Sequence, residues 1–253
     1  MKFRYIVLIA FSLLQVKTMA QQALFAEGEK LTYEAYYGWI TGANAVLELK
    51  KTTYNNDTLF FARASGYSVG MIDKLYQVIE IFDSYFSIDG NYLPVKAVEN
   101  VSEGPKYKRL NVYLFDQQKN KVWSKTSGNH KVPDNTYDIL SAFYYLRSIN
   151  TSNLKPDELI RIQTFFQDEP WEMVIKYKGK ETIKLGLGKI ECLKFTPLVK
   201  KEGVFKDNDA LSIWISNDKN KIPIRAQMDL MVGSFKVDLI KHTGLLNKLN
   251  FTK

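Results

Sequence analysis

The sequence predicts an all-β fold, with curved antiparallel sheets forming a partly open barrel or sandwich around one central helix. Three observations carry this expectation. Runs rich in Val, Ile, Thr, Tyr and Phe recur along most of the chain, separated by turn residues such as Asn55-Asn56-Asp57 and Asp89-Gly90. No helical crossovers separate these runs, so neighbours should pair as antiparallel hairpins. One stretch alone, Pro133 to Arg147, has a convincing helical period, with Ile139, Ala142, Phe143 and Leu146 recurring at i, i+3, i+4 and i+7.

In chain order, Met1 to Ala20 comes first. It carries Lys2 and Arg4, an apolar run from Tyr5 to Leu14 and the small-residue site Thr18-Met19-Ala20, the pattern of a secretory signal peptide. The apolar run is about ten residues, too short to span a bilayer as a helix. No later segment reads as a membrane span. The remaining 21–253 is expected to be a single β-rich domain of two strand-rich halves, 21–132 and 150–253, joined by a helix over 136–149.

Lys30 to Gly38 and Ala43 to Thr53 form the opening hairpin, with Leu31, Tyr33, Ala35 and Tyr37 on one face of the first strand. Thr58 to Ser65 follows as the third strand, and the pattern breaks near Gly66 and Gly70, where Met71 to Leu75 fits one helical turn. Strands resume at Val78 to Ile88, Tyr92 to Val101, Lys106 to Phe115 and Asn120 to Lys125, a meander of about seven strands in all. Asp134, Thr136 and Asp138 then offer oxygens to the free N–H groups of a first helical turn. Leu140 and Tyr144 form a second row beside the apolar face with Arg147 below it, so the helix should be buried as a hub, with Asp138 and Phe143 in structural roles. The second half repeats strand and turn: Leu159 to Phe166, Trp171 to Tyr177, Lys180 to Leu185, Ile190 to Pro197, Leu211 to Ser216, Ile222 to Leu230 and Gly233 to Ile240.

Charge argues against a nucleic-acid partner. Removing Lys2, Arg4 and Lys17 with the leader takes the net charge from +8 to 8 − 3 = +5, and the lysines are interleaved with acids rather than gathered on a helix. The single cysteine, Cys192, leaves no internal disulfide, so the fold must rest on its core. It reads as a small strand residue and not a reactive thiol.

The inventory for catalysis is thin. His130 and His242 stand far apart without ligand-spaced partners, there is no zinc motif, nucleophile elbow or phosphate-cradling loop, and Gly186-Leu187-Gly188 is a turn between strands. No metal or cofactor is expected. Carboxylates such as Glu80 and Asp83, Asp138, or Asp168 and Glu169 keep a glycan hydrolase open as a third reading, since two facing acids suffice for that chemistry. Aromatic residues are the stronger signal. Tyr33, Tyr37, Trp39, Tyr144, Tyr145 and Trp214, with Arg147, would line an apolar cleft if a curved sheet wraps the helix; the alternative is that they fill the core.

Three segments resemble the DUF3108 family: Phe25 to Tyr33, Asp138 to Arg147, and Trp214 to Asp218 with Ile222 to Arg225. The resemblance implies a secreted or envelope protein with a periplasmic address and carries over no activity. The leading expectation is therefore a non-enzymatic periplasmic protein binding a lipid-like or polymeric envelope ligand. The alternative is an interaction or assembly protein docking on an outer-membrane or cell-wall complex.

Overall fold

The computed structural model of the chain describes residues 24–201, 204–207 and 211–252; the Met1 to Ala20 leader lies outside the described residues. The first half is a meander of β1 (Lys30–Tyr37), β2 (Ile40–Tyr54), β3 (Asp57–Ser68), the short α1 (Gly70–Leu75), β4 (Val78–Ser87), β5 (Pro94–Glu103), β6 (Tyr107–Asp116), β7 (Lys121–Ser124) and β8 (Gly128–Lys131). After α2 (Ile139–Ser148), the second half runs through β9 (Leu159–Phe166), β10 (Glu169–Leu185), β11 (Gly188–Lys201), β12 (Val204–Asp207), β13 (Leu211–Ser216), β14 (Pro223–Asp229) and β15 (Ser234–Thr243). Pairing of β1 with β15 joins the halves into one 15-stranded sheet, ordered β8-β7-β6-β5-β4-β3-β2-β1-β15-β14-β13-β11-β10-β9, with β12 beside β11. All ladders between these strands are antiparallel, as the hairpin pattern predicts.

The sheet is open, ending at β8 and β9, and side chains rather than a ladder close the seam. Tyr137 covers part of the β9 edge through a single parallel bridge to Thr164. Its N–H donates to Gln163 O at 2.9 Å, and its carbonyl accepts from Phe165 N at 2.8 Å. Phe165 meets Tyr113 of β6 edge-on at 5.4 Å and lies 5.1 Å from the His130 ring of β8.

Helix α2 fills the interior, and its start is set by Asp138. The Asp138 carboxylate accepts from Leu140 N and Ser141 N at 2.8 and 3.2 Å, while Asp138 N donates back to Ser141 Oγ at 3.1 Å, a reciprocal cap. The helix thus begins at Ile139, later than the expected 136, because 133–137 are spent on a turn and on the β9 bridge. Its most buried row is Leu140, Tyr144 and Arg147, with Ala142 beside them. Ile139, Phe143 and Leu146, the face chosen from periodicity, are half-buried. The physical reason is that sheet surrounds the helix, so a row containing an arginine can be the deepest if its charge is matched.

That match is Glu29. Arg147 Nη1 and Nη2 donate to Glu29 Oε1 and Oε2 at 2.6 and 2.8 Å, Arg147 Nε donates to Asn220 O at 3.1 Å, and both charged side chains are 1% exposed. The rings of Phe25, Tyr144 and Phe143 lie 5.0, 5.2 and 5.6 Å from the guanidinium carbon.

Other departures have local causes. Trp171 to Tyr177 and Lys180 to Leu185 are one strand, β10, because Gly179 at φ +107° forms a bulge where the register with β11 shifts instead of a turn. The stretch at His130, ahead of Pro133, and Lys206 to Asp209 both read as turns in sequence, yet β8 holds His130 and β12 holds Lys206 and Asp207. Strand β11 is buried on both faces: Leu193 and Phe195 pack with Tyr177 and Leu146, whereas Ile190 and Cys192 pack with Ile183 and Trp214. Burial pushes the Cys192 thiol up to about 12, consistent with an inert core residue.

Breaking the buried pair from one side should be costly. Arg147→Met alone is expected to destabilise by about 3–5 kcal/mol in urea melts, because Glu29 is left buried and unpaired. Arg147→Met combined with Glu29→Met should recover most of that loss. A double variant as unstable as the single one would contradict this account.

Candidate functional site

Along β1, β2, β3, β4 and β15 the inward-facing residues change character toward one end of the curled sheet. At the closed end they are large: Leu31 and Tyr33, Leu47 and Leu49, Phe86 and Leu239 belong to the core that packs around α2. Farther along the same faces they become small, with Ala35, Ala43, Ala45, Gly66 and Ser68 where bulky residues would fill the space. The result is a cavity of about 470 Å³, walled further by Val78, Phe235, Val237 and Ile72 of α1. That volume lies in the range of small-molecule sites. Its polar groups are few. The Tyr37 hydroxyl donates to Val232 O at 2.5 Å, Ser68 Oγ donates to Asp73 Oδ1 at 2.7 Å, and Glu80 stands on the β4 wall.

Exposed apolar residues lie on segments next to the lining strands: the β1–β2 turn, α1, and the β14–β15 turn, near which Tyr37 pairs with Phe235. Trp39 is 90% exposed, Leu75 82%, Met231 106% and Val232 76%, with Met71 also exposed. So many large apolar residues in water at one end exceed the scattered exposure normal for a globular surface.

The residues singled out from sequence divide sharply. Tyr37 lines the cavity, and Trp39 is exposed in the turn between two of its wall strands. Tyr33, Tyr144, Arg147 and Trp214 do not line it; they are buried in the core. Tyr33 donates to Pro223 O at 3.1 Å, and Trp214 Nε1 donates to Glu181 Oε2 at 3.0 Å. Tyr145 stacks on Tyr137 at 4.8 Å, away from the cavity wall. The wide faces of these rings are needed as filling where the sheet curls around α2, which is why they went inside. Sequence reading passed over the small residues that open the cavity. Their signal was present, since Ala43 and Ala45 alternate on β2 as Gly66 and Ser68 do on β3.

Three of the carboxylates weighed for hydrolysis, Asp83, Asp138 and Asp168, are occupied elsewhere, while Glu80 stands on the cavity wall. Asp83 forms a two-pronged pair with Arg63 at 2.7 and 2.8 Å, and Asp138 caps α2 and accepts from Ser84 Oγ at 2.6 Å. Asp168 belongs to the seam. Gln167 and Asp168 form a two-residue turn with φ of +52° and +68°, which aims the carboxylate across to β6 and β7. There it accepts from Asn111 Nδ2 at 3.0 Å, Thr126 Oγ1 at 2.8 Å and Ser124 Oγ, with Arg109 Nη2 at 3.4 Å. Arg109 Nη2 also lies 3.4 Å from Glu99 Oε2, which accepts from the Tyr113 hydroxyl at 3.0 Å. Glu99 and Asp168 are thus bridged by a cation, and the space beside Glu99 is only about 20 Å³, too small to admit a sugar. Burial holds the Glu99 carboxyl above the usual range. For Asp168, burial acts upward but is outweighed by the hydrogen bonds, bringing it down to about 2.

Among the described residues no group of His, Cys, Asp and Glu could hold a metal ion. His130 bonds Ser127 Oγ at 2.8 Å, and His242 stacks on Phe251 at 6.4 Å. Nor is any described helix long and apolar enough to cross a membrane.

Fold and cavity together define a curled, open antiparallel sheet with an apolar pocket at one end. The sequence matches the family model described as a protein of unknown function (DUF3108) over residues 32–240, and the chain belongs to that family. A β-barrel-like protein of the domain of unknown function DUF1849 from Brucella abortus has a similar crystal structure, with TM-score 0.55 at 10% identity, covering 88% of this chain and 100% of that one. A DUF1089 family protein from Pseudomonas aeruginosa is more remote, with TM-score 0.36 at 11% identity over 85% of this chain and 99% of its own. No curated protein matches.

Asp168 gives the seam a pH dependence of known sign. Its folded value near 2 lies below the roughly 3.9 of an unfolded chain, so its stabilisation is present above about pH 4 and lost as pH falls toward 2. At about pH 6 wild type should exceed Asp168→Asn by about 1–3 kcal/mol in denaturant melts, with the gap shrinking below about pH 4. Equal stability at the higher pH would remove this carboxylate from the account of seam closure.

Proposed function

We propose that this chain is a non-enzymatic envelope protein that holds the apolar part of a lipid-like ligand in the cavity at the open end of its sheet. The observation that carries the reading is the run of small inward residues, Ala35, Ala43, Ala45 and Gly66, which keeps about 470 Å³ open in a β interior elsewhere packed with large side chains. The exposed apolar residues beside the wall strands support it, because Trp39, Met71, Leu75 and Met231 give a hydrocarbon chain an apolar approach to the cavity. The Met1 to Ala20 leader supports export, and a periplasmic address belongs to the same proposal.

The same exposed residues favour a second reading, an assembly protein whose turns seat against an outer-membrane or cell-wall complex. Filling the cavity separates the two. A Cβ built on Gly66 meets nothing within 4 Å and the residue has no positive φ, so a side chain can enter the cavity there without backbone strain, and Gly66→Leu is the variant that fills the space. Its melting midpoint is expected to stay at or above that of wild type, since an interior strand glycine is weakening. Titration with a long-chain fluorescent acyl probe should give saturable binding to wild type and at least roughly tenfold weaker binding to Gly66→Leu. Identical binding by both proteins, or none by wild type, would defeat the ligand reading and leave the assembly reading.

A further inference from the structure

We propose that the cavity selects an amphiphile bearing an amine or other cationic group, with Glu80 as the side chain that receives it. This rests on the ligand reading above and names the chemistry of the head group. Glu80 faces inward on β4, with Gly66 beside it on β3 and Val101 beside it on β5. Because Gly66 has no side chain and its Cβ position is open, the carboxylate has free space next to it. The walls around it are apolar and contribute no lysine or arginine.

The next inward residue on β5, Glu103, pairs across from Val78 and brings a second negative charge to the same wall. Neither acid has a salt bridge or a side-chain hydrogen bond within the described residues. On β6, Lys108 pairs with Ser102 and lies on the opposite face of the sheet, while Arg109, which pairs with Val101 and faces inward, is held by Glu99 and Asp168 at 3.4 Å each. Lys74 and Lys106 are exposed. Burial first, and the charge of Glu103 second, raise the Glu80 carboxyl above its ordinary value, the direction expected of an acid lacking a counter-ion. Acids that are structural in this protein have partners: Glu29 has Arg147, Asp83 has Arg63, and Asp238 has Arg225 at 2.6 Å. A carboxylate kept unmatched in an apolar pocket attracts a ligand cation and disfavours a ligand anion.

Dodecylamine, dodecanol and dodecanoic acid share one chain and differ in the head group. Each would be titrated below its micellar concentration, near neutral pH and at low salt, into wild type and into Glu80→Gln. The expected order for wild type is amine tightest, by roughly tenfold or more over the alcohol, with the carboxylate weakest. Glu80→Gln should lower amine affinity to that of the alcohol, shift alcohol affinity far less, and keep a melting midpoint at or above that of wild type, since it removes an unmatched charge. Equal affinity of wild type for amine and alcohol, or an amine preference that survives Glu80→Gln, would overturn the head-group assignment and leave the cavity reading standing. Failure of all three to bind a cooperatively folding wild type would overturn both.

Discussion

The Glu29–Arg147 ion pair is the constraint around which the rest of the structure is arranged. Two charges that are 1% exposed can persist only if each satisfies the other, and here two parallel hydrogen bonds of 2.6 and 2.8 Å do so. The pair fixes three distant pieces of chain. Glu29 immediately precedes β1, Arg147 ends the buried row of α2, and Asn220, whose carbonyl takes the remaining guanidinium bond, sits in the turn between β13 and β14. Tyr33 adds a second tie from β1 to that region through Pro223 O. With those points pinned, the sheet must curl around the helix, and its two ends approach closely enough for Asp168 and Phe165 to bridge the seam.

This arrangement also explains where the family resemblance lies. Its segments, 25–33, 138–147, 214–218 and 222–225, lie around the ion pair: Phe25 lies 4.9 Å from the Tyr144 ring, Glu29 and Arg147 join, and Pro223 O accepts from Tyr33. In this chain the segments that carry the resemblance are thus residues that hold the fold. The cavity is a separate region of the same interior, built from small residues on β1, β2 and β3. The closed end sets the curl, and a few small inward positions at the open end set the size of the cavity.

Much of this architecture was legible because period-two alternation survives wherever one strand face is buried and the other wet. Leu31, Tyr33 and Ala35 alternate cleanly on β1, and the hairpins follow from their turns. Alternation failed where both faces are covered, as at Cys192 and Leu193, and where Gly179 made a bulge that resembles a turn in one dimension. The helix was legible but its deepest face was not, because hydropathy places an arginine outward and cannot know that Glu29, 118 residues away, will neutralise it. Aromatic residues were conspicuous and misleading as cleft markers, since Tyr33, Tyr144 and Trp214 serve as filling. The cavity depends on alanines and a glycine facing one another across strands, a coincidence of register that becomes visible only when the strands are paired.

The most direct test of the account is mass spectrometry of an organic extract from the protein, purified from its native envelope without detergent, alongside Gly66→Leu prepared identically. The account predicts an apolar or amphiphilic molecule near one equivalent in wild type and its loss from the variant. A wild-type protein that is clean, or a variant that carries the same molecule in the same amount, would contradict the claim that this cavity is a ligand site.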